Sequence, residues 1–267
     1  MFLQRALVFL TAGPLMLYLI YRGGLFYMIP VTAVLLLATV EYGRIVRKLG
    51  WHMPLWILLP AVLGQLVAGY WPEANFFAPA LVVSLLFSIA YGLWLYERRL
   101  SETAIADWLA LMAGILILGW IGSHFLRLGR LTWQWTMLAI ISAWAADTGA
   151  YLVGRFMTNR ILGHHQLTPR LSPNKTVEGY IGGIVLGTTI TAVVANFLQI
   201  SPLIGLLLGL LSSIVSPLGD LAISLLKREA GVKDSGVLFP GHGGALDRLD
   251  TLLWSVTMAY YLALFVQ

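Results

Sequence analysis

Apolar residues run through this chain in long blocks, and the polar positions between them are short and clustered. Nine blocks are long enough to cross a hydrocarbon core, which takes about 20 helical residues: 6–21, 25–42, 53–70, 75–96, 105–126, 133–153, 177–198, 202–219 and 251–266. They predict an all-α, polytopic integral membrane protein of about nine transmembrane helices. The first block follows Arg5 in the manner of a secretory signal, but no A-x-A cleavage site follows it, so it is read as a retained helix. Pro14, Pro30, Pro60 and Pro79 lie inside blocks, where neighbouring helices of a bundle can satisfy the backbone groups that proline frees.

Composition agrees. Of 267 residues, 59% are hydrophobic and 11% charged, and the mean hydropathy is +0.82. An ordinary soluble domain is only about half apolar. The absence of cysteine excludes a disulfide framework, a thiolate metal site and a cysteine nucleophile. The net charge of +5 and a pI near 9.6 would also suit a nucleic-acid binder. Basic residues dispersed between apolar blocks act instead as topology signals, so no nucleic-acid partner is expected.

Nine spans sort the connections into two sets. The amino terminus and the loops near 43–52, 97–104, 154–176 and 220–250 carry fourteen of the seventeen Lys and Arg residues, leaving Arg22, Arg127 and Arg130 for the other set. The positive-inside rule then places the amino terminus and both long basic loops in the cytoplasm, with the carboxyl terminus outside. An eight- or ten-helix arrangement would scramble this asymmetry. Trp51, Tyr70, Trp71, Tyr96 and Trp133, near block ends, fit an interfacial aromatic belt.

The chain is lopsided. Residues 1–130 read as a scaffold of five helices with short loops, and residues 131–267 as a catalytic region with cytoplasmic loops 154–176 and 220–250. Gly179, Gly183 and Gly187, and again Gly205 and Gly209, allow close helix packing, either within one chain or between two copies in a homodimer.

Aspartate at membrane depth costs roughly 2.5–3.5 kcal/mol on insertion scales, so each one needs a partner or a role. Asp147 sits near the end of the sixth block, one turn from Tyr151; Asp220 ends the eighth, and Asp247 and Asp250 open the ninth. If the eighth helix continues through ISLLKREAG, then Asp220, Ser224, Lys227 and Arg228 form a polar stripe on it. Asp247 and Asp250 at i and i+3 would share one helix face. Two such helices side by side gather three carboxylates, which repel one another unless a cation neutralises them. Hard oxygen ligands beside phosphate suit Mg²⁺. The alternative is a structural ion network in which the carboxylates pair with Lys227, Arg228, Lys233 and Arg248.

Before the ninth helix, PGHGG places Pro240, Gly241, Gly243 and Gly244 where a backbone can approach an anion at a helix start, although an ordinary glycine-rich turn has the same composition. His242 is a phosphate donor, a proton carrier or an incidental turn residue. In LSPNKTVEGYIGG, Ser172 and Pro173 read as a helix entry, and Lys175, opposed to the helix dipole, is better placed for an anionic ligand. Carboxylates for a divalent cation and Lys and Arg for phosphates are the requirements of phosphoryl or nucleotidyl transfer. No Walker A motif is present. One substrate should be a lipid and the other a soluble phosphate compound.

The stretch from Ser224 to Asp250 resembles the signature of the phosphatidate cytidylyltransferases, or CDP-diacylglycerol synthases, of bacterial type, with Ser224, Lys227, Arg228, Lys233, Asp234, Pro240, His242, Gly243, Gly244, Asp247, Arg248 and Asp250 in register. AADTGAY, SPNKTVEGYIGG and SPLGD extend the resemblance over most of 140–250, whereas the first five helices share only hydropathy. The resemblance implies the Mg²⁺-dependent reaction of CTP with phosphatidate to give CDP-diacylglycerol and pyrophosphate, at the cytoplasmic face of the inner membrane, in phospholipid synthesis. Carried over by position, Asp220 and Asp247 become metal ligands with Asp250 close by, and a second cation is allowed. Lys227, Arg228, Lys233 and Arg248 are assigned to the triphosphate, and Lys175 and Ser172 to the phosphatidate head group. The Gly243–Gly244 backbone is assigned to a phosphate. Asp234 and His242 join the catalytic set, and Asp147 and Ser224 the substrate-binding set. A CTP-dependent polyprenol or dolichol kinase would use similar machinery, and an ion or anion transporter could also bury carboxylates. A CDP-alcohol phosphotransferase is disfavoured because its DG…AR…G…D…D pattern is absent.

Overall fold

The computed structural model describes residues 13–158, 161–236 and 243–266, and among them it is almost wholly helical. Residues 13–22 are helical and are followed by α1 (Gly24–Lys48), α2 (Leu55–Tyr70) and α3 (Phe77–Glu97). Then come α4 (Ala104–Gly114), a π-helical turn (Ile115–Ile121) and α5 (His124–Leu131), which together form one apolar rod. The later helices are α6 (Trp133–Phe156), α7 (Val177–Phe197), α8 (Pro202–Glu229), the short α9 (Leu246–Leu249) and α10 (Leu252–Val266). Strands β1 (Gln166–Thr168) and β2 (Ser172–Thr176) pair antiparallel between α6 and α7.

Six of these rods are long and apolar enough to span a membrane: α1, α3, Ala104–Leu131, α6, α7 and α8; α2 and α10 are shorter apolar helices. Large apolar side chains such as Leu86, Phe87 and Leu93 are exposed along α3, as expected for a helix whose outer face meets lipid. The protein is therefore an all-α, multi-pass membrane protein. Each predicted block from 25–42 onward coincides with a helix, while 6–21 begins outside the described residues.

The chain divides into two compact units. The first comprises residues 1–130 with 226–249, and the second 131–225 with 250–267. Within the first, the Tyr42 hydroxyl donates to the Ala110 carbonyl at 2.7 Å, fastening α1 to α4. The fully buried Asp107 accepts the His52 backbone N–H at 2.8 Å, fixing the α1–α2 connection. Arg47 and Lys48 occupy the last turn of α1, where cations complement the helix dipole. Gly50, in the left-handed region at φ 82°, then turns the chain away.

Within the second unit the glycine spacings pack helices of the same chain. A Cβ on Gly183 of α7 would lie 2.8 Å from the Ala146 carbonyl oxygen of α6, and one on Gly179 would lie 2.9 Å from that of Ala150. On another side of α7, a Cβ on Gly209 of α8 would lie 2.7 Å from Thr188 Cα. The backbones thus approach as closely as small residues allow, where a side chain would hold them apart. The Ser255 hydroxyl of α10 donates to the Ala139 carbonyl of α6 at 2.6 Å.

Two local expectations change. Ser172 and Pro173 do not enter a helix: they lie in β2, and α7 starts with Val177, where Thr176 is the N-cap and its hydroxyl accepts the Gly179 N–H at 3.0 Å. Proline is compatible with such an edge strand because it need not donate to the ladder. The ninth helix is also interrupted. Asp247 lies in α9, whereas Asp250 and Thr251 form a turn before α10, so the single helix face expected to carry Asp247 and Asp250 does not form. The Asp250 carboxylate accepts the Thr251 N–H at 2.8 Å. A local bond of this kind competes with helix continuation.

Candidate active site

Helix α8 does run past Asp220 to Glu229, so Asp220, Ser224, Lys227 and Arg228 all stand on one helix. At its end, Val232 N–H donates to the Lys227 carbonyl at 2.9 Å and Gly231 N–H to that of Arg228 at 3.0 Å, with Gly231 at φ 67°. This is the Schellman pattern that glycine permits. The exposed Arg228 reinforces the exit by donating to the Val232 carbonyl at 3.2 Å. The turn delivers the chain into the charged loop.

In the first unit, Lys227 points inward. Its ammonium lies 2.6 Å from Asp247 Oδ1, and both side chains are 9% exposed. Asp247 Oδ2 accepts Ser235 N–H at 2.8 Å and Gly244 N–H at 2.9 Å, and it lies 3.0 Å from the Ser235 hydroxyl. Burial pushes the Asp247 carboxyl upward, but the Lys227 hydrogen bond, the Gly244 and Ser235 amides and the Lys227 charge together hold it below its ordinary value. Gly243 takes φ 80°, and a Cβ there would lie 2.6 Å from Asp247 Oδ2. Glycine adopts that conformation without steric cost. The glycines of this turn thus let the backbone close around a carboxylate.

A residue outside the predicted set completes the arrangement. Glu41 of α1, 6% exposed, accepts Ala245 N–H at 3.0 Å and Leu246 N–H at 2.9 Å, and it shares the Ser235 hydroxyl at 2.7 Å. Its sequence signal was a lone carboxylate within the apolar run LLLATVEYGR, which by the membrane-depth argument needs a partner or a role just as the four aspartates did. Ser235 was likewise unmarked. Lys233, Asp234 and Arg248 lie in and around the loop, all three exposed, and Pro240, Gly241 and His242 lie outside the described residues.

In the second unit, Lys175 at the end of β2 reaches Asp220 Oδ2 at 2.5 Å, and the Ser224 hydroxyl donates to Asp220 Oδ1 at 3.3 Å. The two charged side chains are 30% and 29% exposed, so this pair faces a more aqueous setting than Lys227 and Asp247. Ser172 opens β2, partly exposed. Asp147 of α6 accepts the Thr251 hydroxyl at 3.5 Å, and Asp250, next in the chain to Thr251, is 7% exposed. Within either unit, among the described residues, no three His, Asp or Glu side chains converge as a metal cage would require.

Carboxylate–lysine pairs of this kind, one of them beside a glycine turn, can bind phosphates and a hard cation, and they offer no activated nucleophile of their own. That chemistry is one of charge placement rather than covalent catalysis. Comparison with known proteins gives the same class. The chain matches the cytidylyltransferase family over residues 3–266 and belongs to it. Among curated relatives, a protein of Synechocystis sp. named phosphatidate cytidylyltransferase is 47% identical over 128 residues, covering 47% of this chain and 42% of that protein. Proteins of the same name from Mycobacterium bovis (43% over 127 residues; 47% of this chain, 40% of the relative) and Staphylococcus haemolyticus (44% over 123 residues; 45% of each) are similar to a like extent. These alignments span less than half the length of the relatives they match.

Proposed function

We propose that this protein catalyses cytidylyl transfer from CTP to phosphatidate, giving CDP-diacylglycerol for phospholipid synthesis, in the inner membrane with its charged loops toward the cytoplasm. A phosphatidate oxygen attacks the α-phosphorus of CTP, the bond from that phosphorus to the bridging oxygen of the β-phosphate breaks, and pyrophosphate leaves with the electron pair. Phosphate monoesters are largely ionised near neutral pH, their second pKa being about 6, so the attack needs no general base. Family membership along nearly the whole chain carries this reading. The names of the relatives and the positive-inside bias of the loops support it.

The carboxylates suit Mg²⁺. Each of Asp220 and Asp247 holds an ammonium on one oxygen, a hard anionic donor on which Mg²⁺ would take the place of the ammonium. Asp247 Oδ2 is held by the Ser235 and Gly244 amides, so Oδ1 would be the oxygen it gives to a metal, and Asp220 and Asp250 would supply further carboxylates. A bound Mg²⁺, with a second cation if two are used, would supply charge stabilisation of the phosphates. Lys227, displaced from Asp247 Oδ1, would turn to the triphosphate with Arg228, Lys233 and Arg248, and Asp234 and His242 would complete the catalytic set. Lys175 and Ser172 would hold the phosphatidate head group. The Gly243 and Gly244 backbone would hold a phosphate, the Gly244 amide on release from Asp247.

Radiolabelled CTP tests the reaction directly. Label at the α-phosphorus should enter lipid in a phosphatidate- and Mg²⁺-dependent manner. Entry of γ-label instead would identify a CTP-dependent lipid kinase, and Mg²⁺-dependent CTP binding without either would leave the enzyme reading unsupported.

A further inference from the structure

We infer that Glu41 is a positioning residue for the active-site loop, acting from α1 as a remote cap that sets the posture of Asp247; this rests on the cytidylyl-transfer reading of the loop. Four observations carry it. Glu41 lies 194 to 205 residues before its partners in sequence, yet both of its oxygens are engaged by one loop. Its two oxygens accept the Ala245 and Leu246 amides, the orphan donors at the start of α9, which no residue of α9 itself satisfies. The Ser235 hydroxyl has one proton and lies within bonding distance of Glu41 Oε2 and Asp247 Oδ2, so it links the two carboxylates. Finally, two glycines of the loop are spaces for Glu41. A Cβ on Gly236 would lie 2.8 Å from Glu41 Cδ, and one on Gly244 would collide with the Glu41 carboxylate.

The consequence is directional. Asp247 Oδ2 is held by the amides of Ser235 and Gly244, and both of those residues are held by, or fitted around, Glu41. Loss of the cap frees the turn, and the oxygen left for substrate-side chemistry, Oδ1, loses its fixed direction. Glutamine keeps the shape of the side chain but replaces one acceptor with an NH₂ group, which would face an N–H or O–H donor. Aspartate is one methylene too short to reach the amides.

Hydrogen exchange on the purified full-length protein in lipid nanodiscs reads the cap without relying on turnover. In Glu41→Gln and Glu41→Asp, peptides covering 235–249 should exchange faster while those of α3 and α6 stay as in the wild type. In parallel, kcat should fall on the order of 10- to 100-fold, as for other residues that orient a metal ligand. The Mg²⁺ concentration for half-maximal rate should rise, with KM for phosphatidate little changed, a split that general loosening of the fold would not produce. Gly236→Ala provides an independent check: it should impair the wild type, yet add little to Glu41→Ala, where the space has been vacated. Unchanged exchange at 235–249, wild-type kcat and Mg²⁺ dependence in a loosened loop, or additive costs of Gly236→Ala and Glu41→Ala would each overturn the assignment. If the wild type transfers no cytidylyl group, the functional reading falls, while the exchange data still decide the role of Glu41.

Discussion

Lys227 Nζ and Asp247 Oδ1 lie 2.6 Å apart, on groups twenty residues distant in sequence, and each side chain is 9% exposed. A pair so buried gains little for stability over an apolar pair of the same size, because desolvation offsets most of the attraction, but removing one partner strands the other.

Lys227→Met should therefore destabilise the protein by about 3–5 kcal/mol, the range for breaking a buried pair. Lys227→Met with Asp247→Asn should recover most of that loss yet remain inactive. Thermal unfolding in detergent and the α-label assay check the two halves. Recovery of both stability and turnover in the double variant would assign the pair a purely structural role.

Asp247→Asn alone should abolish CTP-dependent turnover while leaving membrane insertion intact, as judged by yield in the membrane fraction and a single elution peak. Substantial activity in this variant would remove Asp247 from the metal ligands.

The low pKa of Asp247 also makes a pH prediction. A carboxylate depressed in the folded state contributes stability that is complete above its ordinary pKa of 3.8 and is lost as pH falls through the depressed value. Between about pH 5 and pH 2 the wild type should lose stability more steeply than Asp247→Asn. Equal slopes in denaturant titrations across that range would show that the carboxylate is not held ionised.

Lys175 and Asp220 keep 30% and 29% of their side-chain surface exposed. Pairs with this access to solvent contribute little, about 0–1 kcal/mol. Lys175→Ala should accordingly leave the melting temperature nearly unchanged while raising KM for phosphatidate. A large stability loss with normal kinetics would instead mark the pair as structural.

Gly183→Leu should separate α6 from α7, since even a Cβ would meet the Ala146 carbonyl oxygen at 2.8 Å. Overpacking of this kind costs about 1–3 kcal/mol or more. The melting temperature should drop, and Gly183→Ala should fall between the two.

The transmembrane helices were legible because hydropathy and helix length are local properties: every block from 25–42 onward corresponds to a helix, and the continuation of α8 past Asp220 followed from its polar stripe. Ion pairs were only partly legible. Lys227 and Asp247 were both marked, but their pairing was one alternative among others. Glu41 was missed because its partners lie about 200 residues away, and no periodicity reports a contact at that range. The strand at 172–176 was missed because Ser-Pro satisfies the rules for a helix entry equally well, and only the Thr176 cap fixes where α7 begins. The break at Asp250 and Thr251 was hidden for a similar reason: a side chain that captures the next amide leaves no mark on hydropathy.

The Glu41 bonds to Ala245 and Leu246 bear on how far the amino-terminal helices can be exchanged. Hydropathy alone would let any apolar set of the right length replace them. A replacement that lacks an acidic side chain at this depth of its second block would insert normally, leave the Ala245 and Leu246 amides without acceptors and leave the Ser235 hydroxyl only Asp247 of the two carboxylates. Chimaeras and truncations that remove α1 should therefore be read as variants of the loop around Asp247 rather than as changes of anchor.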